Sequence, residues 1–145
     1  MQFLQNNSYR IYFIERFGIP EYVLNTYTFW ERGRKVWAFS GELWDINGVE
    51  VFGIKALTKG RDLKPSTAFL RIVGKYAKKN VIFLDDNNAL AFLRGRELNI
   101  DYPADGGYVV VRWKNDVLGC GFYVKKEKRL ISLIPSKYRL QETWV

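Results

Sequence analysis

The chain has 145 residues, 48% of them apolar and 17% aromatic, with only four prolines, which is enough to bury a core and excludes disorder as the main state. Its net charge of +8 is segregated: residues 1–50 hold five Lys/Arg against six Asp/Glu, whereas residues 51–145 hold eighteen against nine. The basic C-terminal two thirds suits a polyanionic partner, and the near-neutral N-terminal third a packing appendage.

With no histidine and one cysteine, Cys120, an internal disulfide, a nitrogen–sulfur zinc site and every histidine-dependent triad are out of reach. No metal and no cofactor are expected, and the chain reads as no enzyme. No apolar run approaches the roughly 18 to 20 residues that cross a bilayer, and the N-terminus lacks a secretory pattern. The expectation is a soluble cytoplasmic protein without a membrane contact. A thermophile origin is the competing account of the charge, but it predicts acids interleaved with bases, and residues 64–84 contain none.

In chain order, Ser8 is placed to cap a short helix carrying Tyr9, Tyr12, Phe13 and Phe17. Gly18 would end it in a left-handed residue, and Pro20 would open a second helix. Aromatic extended segments, Tyr27 to Trp30 and Val36 to Phe39, flank Arg32-Gly33-Arg34 and read as a hairpin. Asn47-Gly48, between Leu43–Ile46 and Val49–Ile54, predicts a second one.

The stretch from Lys64 to Lys79 then reads as one amphipathic helix. Phe69, Ile72, Val73 and Tyr76 recur at i, i+3, i+4, i+7 and share a face, while Arg71, Lys75 and Lys78 fall opposite. Residues 64–84 hold no acid that could neutralise this face through i,i+4 pairs, so the helix is expected to present bare positive charge. Asn80 is the expected stop before a short buried strand at 81–84. Asp85 to Asn88 caps a second small helix with Ala89, Leu90, Phe92 and Leu93 on its apolar side, ended by Gly95. Strands at 108–113, 117–124 and 130–134 complete an α+β chain with a small barrel of short helices and mostly antiparallel strands.

Phe92-Leu93-Arg94-Gly95-Arg96-Glu97-Leu98, Gly107-Tyr108-Val109-Val110-Val111, Leu118-Gly119-Cys120-Gly121, Leu130 and Ile134-Pro135 resemble the PUA-type RNA-binding fold. With Gly53-Ile54, Leu57, Gly60-Arg61, Lys64-Pro65-Ser66 and Ala68-Phe69 before them, they are similar to the C-terminal region of RsmF-type rRNA 5-methylcytosine methyltransferases, over about residues 35–140. The resemblance implies a PUA-like mixed or antiparallel β-barrel over 61–145, preceded by a helical and hairpin segment over 1–60. That family's catalytic half has an S-adenosylmethionine-binding domain and two motif cysteines, and neither is here. The implied role is a free-standing, non-catalytic module for structured RNA, rRNA or tRNA, assisting RNA modification or ribosome assembly, with a separate methyltransferase as a further partner. The alternative is a protein-interaction module, the detached tail of a methyltransferase complex, using the aromatic region 9–44.

Candidate RNA contacts are Lys64, Arg71, Lys75, Lys78 and Lys79 on the basic helix. By resemblance they include Arg94, Gly95 and Arg96 at the helix-to-strand junction, although a helix stop is the stronger account of Gly95. Lys125, Lys126, Lys128 and Arg129 sit at an expected hairpin tip, where charge also serves solvation, and Lys137 and Arg139 follow Ile134-Pro135. Arginine pairs bidentately with phosphate and stacks on bases. Cys120 reads as core, and Asp85-Asp86 as a helix cap. Trp30, Trp37 and Trp44 read mostly as packing, with an exposed ring able to stack on an unpaired base.

Overall fold

The computed structural model describes residues 2–40 and 53–141. The chain is α+β, and the described residues form four α-helices and two five-stranded sheets, one of them curled into a half-barrel. The first sheet has the order β1 (Leu4–Gln5), β2 (Tyr27–Arg32), β3 (Lys35–Ser40), β4 (Ile54–Thr58), β5 (Lys64–Pro65), all antiparallel. The second runs β6 (Val81–Phe83), β8 (Gly107–Trp113), β9 (Asp116–Val124), β10 (Arg129–Ser132), β7 (Leu98–Asn99), and within it β6 lies parallel to β8.

Several local readings hold. Helix α1 (Tyr9–Phe17) ends at Gly18 with φ 65°, and α2 (Glu21–Leu24) starts after Pro20. The β2–β3 hairpin turns at Gly33, φ 60°. Asp85 caps α4 (Asp86–Leu93), its Oδ1 accepting from the Asn88 amide at 2.8 Å. Cys120 is core, 1% exposed. Ser8 occupies the cap position of α1, but its hydroxyl donates to Asn6 Oδ1 and makes no cap bond to the helix. The Asn47-Gly48 hairpin and Trp44 lie outside the described residues.

The largest correction concerns the basic helix. Lys64 and Pro65 are a strand, α3 spans only Thr67–Val73, and a 3-10 turn over Gly74–Tyr76 gives way to extended chain at Ala77. Its buried face is Thr67, Phe69, Leu70 and Val73, while Ile72 and Tyr76 are each 37% exposed. The cause is tertiary. A Cβ on Gly74 would sit 3.0 Å from Val110 Cγ1 and 3.2 Å from Val117 Cγ1, so the helix runs onto β8 and β9 at its one residue without a side chain. Lys78 and Lys79 therefore lie beyond the helix, their amides donating to Phe17 O at 2.8 and 3.1 Å. Asn80 has φ 56° as a stop should, yet its role is to join elements. Its Nδ2 donates to Arg16 O at 2.7 Å and its Oδ1 accepts from the Asp105 amide at 2.9 Å.

Helix α3 lies between the sheets. Phe69 packs on Phe13, Tyr27 and Phe29, with ring centroids 5.1, 5.3 and 5.9 Å away. At the helix start, Thr67 Oγ1 accepts from the Cys120 amide at 3.1 Å. A Cβ on Gly119 would come within 2.8 Å of Thr67 Cγ2, so this glycine clears the strand for α3, while Gly121 makes room for Leu130 and Val111 within the second sheet.

Candidate nucleic-acid interface

Alternation along β3 buries Val36 and Ala38 and turns Lys35 and Trp37 outward. Register then sets Lys55 of β4 opposite Trp37 and Thr58 opposite Lys35. Lys64 continues the same surface from β5, and Arg71 closes it from α3. The wall across is the segment after β10, with Pro135, Lys137 and Tyr138. Together these residues enclose a groove of about 740 Å³ lined by Lys35, Lys55, Lys64, Arg71 and Lys137, and among the described residues lining it there is no Asp or Glu. Five cations with no carboxylate among the described lining residues form a positive trough.

The groove is held from below. Ser66 caps α3 by accepting from the Phe69 amide at 3.0 Å while its hydroxyl donates to Lys55 O, tying helix to strand. Arg71 Nε donates to Leu118 O at 2.8 Å, which fixes its guanidinium over the groove edge. Lys137 Nζ lies 5.0 Å from the centre of the Tyr138 ring.

Three residues of the sequence reading, Lys64, Arg71 and Lys137, therefore meet in one groove. Arg139 follows two residues on and rests over Gly95: a Cβ there would lie 2.5 Å from Arg139 Nε, which itself donates to Ile134 O at 3.0 Å. The Leu140 amide donates to Leu93 O at 3.0 Å, so the C-terminal segment links the groove to the junction at 94–96. Arg94 and Arg96 belong to that junction, Arg96 exposed and Arg94 half-buried.

Other cations lie apart. Lys75 borders a small cleft with Tyr22, Ile72 and Tyr76, and Lys78 and Lys79 flank Gly18. Lys125 donates to Ala104 O at 3.0 Å, and Lys126 borders a second groove beside Tyr108 and Phe122. Lys128 pairs with Asp101 at 3.3 Å. Arg129 contacts Glu127 at 2.7 Å and Glu97 at 3.0 Å, and these carboxylates push its pKa up from the ordinary value. Its charge is already answered.

Lys35, Lys55 and Tyr138 were not singled out from the sequence. The signal for the first was present in the alternation of β3, but its meeting with Lys64 depends on sheet register. Burial pushes the Cys120 thiol up to about 12, so it is not a thiolate nucleophile at neutral pH. Asp85 is spent on its cap, and Asp86 accepts from Trp113 Nε1 at 2.7 Å.

The strands β6 to β10 with α4, read with the junction at Gly95, agree with one known family. Residues 79–140 match the family described as the methyltransferase RsmF PUA domain. This part of the chain is PUA-like and resembles the C-terminal region of RsmF, and the PUA domain family points to RNA binding in general. Residues 10–53, from α1 through β3, match a family of unknown function, DUF7122. No individual curated protein matches the chain. The PUA-like domain supplies Lys137 and Tyr138 to the groove, and the region before it supplies Lys35, Trp37, Lys55, Lys64 and Arg71. Among the described residues no helix is long and apolar enough to cross a membrane.

Proposed function

We propose that the protein is a non-catalytic, cytoplasmic RNA-binding protein for structured RNA, rRNA or tRNA, and that it docks on phosphates through the groove. The observation that carries this reading is the meeting of five cations, with no carboxylate among the described lining residues, beside a PUA-like domain. Lysine and arginine at such a surface release counterions from the nucleic acid on binding, which makes affinity fall linearly with salt on a logarithmic scale. Residues 61–145 carry most of the contact in this reading and residues 1–60 complete the groove wall. The junction residues Arg94, Gly95 and Arg96, with Arg139 beside them, extend the contact on the PUA-like side.

The test is binding of labelled tRNA and rRNA fragments across a salt series, with Lys64→Glu/Arg71→Glu beside the unmodified protein. The expected result is salt-sensitive binding whose logarithmic slope falls by roughly one for each phosphate contact removed. Absent or salt-independent binding overturns it.

A second reading, docking of a protein partner such as a separate methyltransferase, draws on the small cleft where Tyr22 is 69% exposed beside Ile72 and Tyr76. Its signature is association that survives high salt and is lost in Tyr22→Ser.

A further inference from the structure

We propose that the groove seats an unpaired nucleotide of a single-stranded RNA segment, its base against Tyr138 and Trp37 and its flanking phosphates on Lys64, Arg71 and Lys137. This deepens the RNA-binding reading and rests on it.

The shape comes first. At about 740 Å³ the groove is of the size that encloses a small ligand. A duplex offers a convex rail of phosphates with its bases stacked inside, so rings inside such a groove would meet only sugar and phosphate. An unpaired nucleotide brings both parts that the lining is built for, a flat π-face and adjoining negative charge.

The rings come second. Tyr138 is 58% exposed, yet it is not on a loose end: its amide donates to Pro135 O at 2.8 Å in the 3-10 turn Ser136–Tyr138. A large ring held out of the core on a fixed turn, at the mouth of a cationic groove, is a stacking platform. Trp37 forms the facing wall on β3, half-buried and held by its pairing with Trp30 and Lys55.

The polar groups come third. The Ser66 hydroxyl is committed in both directions, to Lys55 O and from the Phe69 amide. Thr67 Oγ1 is buried and accepts from the Cys120 amide. These two hydroxyls are tied into the scaffold, so the groove holds its guest chiefly by stacking and charge.

The test compares a labelled ten-nucleotide single-stranded RNA of mixed sequence with a fully paired duplex, using the intact chain. Single-stranded RNA is expected to bind more tightly. Tyr138→Ala should weaken it about tenfold, on the scale of one lost base stack, while Tyr138→Phe keeps the affinity and duplex binding stays within about twofold. A 4-thiouridine probe should cross-link to the peptides containing Trp37 or Tyr138. Trp37→Phe serves where Trp37→Ala does not fold. If both RNAs bind with salt sensitivity and neither the Tyr138 variants nor the cross-links single out the groove, the inference falls and the RNA-binding reading stands. If no RNA binds, both fall.

Discussion

A side chain at Gly95 would compete with the Arg139 side chain for one volume, on a backbone that already favours glycine. The backbone at Gly95 has φ 85°, a region that costs an L-residue of order 1–3 kcal/mol, and the Arg139 guanidinium lies where a Cβ would project. Gly95→Ala is therefore expected to destabilise the chain by about 1–3 kcal/mol in chemical denaturation. Adding Arg139→Ala should recover only the steric part, since the left-handed backbone remains. Full recovery in the double variant would show that φ carries none of the cost. That Gly95 ends a helix was legible in the sequence, because Ala89, Phe92 and the Asp85 cap mark out a helix that must stop nearby. Its second duty, making room for Arg139, was not, since that contact depends on how residues 134–140 fold back onto α4.

Elements meet through a few polar side chains that local patterns do not mark. Glu31 of β2 accepts from Lys59 at 2.6 Å, from Tyr9 of α1 and from Asn6 at 3.4 Å, joining the first sheet to the first helix. Hydrogen bonds from Lys59 and then Tyr9 hold its carboxyl below the usual carboxylate value of 4.5, and burial with the Glu31 contact pushes the Tyr9 phenol up to about 12. A depressed carboxylate contributes stability that is present above its unfolded-state value and lost as pH falls through the folded one. A raised phenol contributes stability that is present below 10 and lost as pH rises toward 12. Glu31→Gln should thus flatten the stability profile on the acid side below pH 4.5, by under about 1 kcal/mol for so open a pair. Tyr9→Phe should flatten the alkaline limb, and urea midpoints across pH check both. Hairpins and caps were legible because turn chemistry is local: Gly33, Gly18 and Asp85 act within a few residues of themselves. The length of α3 was not. Period and capping both allow a helix to Lys79, and what shortens it is the approach of Gly74 to Val110 and Val117.

At the scale of the molecule, the two sheets share a core through α3. The cluster that holds Phe13, Phe29 and Leu57 of the N-terminal region also holds Phe69, Leu70 and Val73 of α3 and Val110 and Cys120 of the second sheet. A side chain at that crossing supports both sheets at once, so removing it should loosen both together. Phe69 is fully buried among three aromatic neighbours, and replacing such a ring with alanine costs about 3–5 kcal/mol. Phe69→Ala is accordingly expected to lower the stability of the whole chain by that amount and to leave one cooperative transition. Tryptophan emission, with Trp30 and Trp37 in the first sheet and Trp113 in the second, should superimpose on far-ultraviolet circular dichroism in denaturant. Two separated transitions, with only the first sheet melting early in Phe69→Ala, would mean that the sheets fold as independent units. The groove has the most to lose from such independence, because its two walls come from opposite sides of that crossing: Lys35, Trp37 and Lys55 from the first sheet, Lys137 and Tyr138 from the chain leaving the second. A shared core is what keeps cations on one wall at a fixed distance from the ring on the other. RNA affinity in Phe69→Leu should then fall in step with global stability, although Phe69 is not itself one of the residues that line the groove.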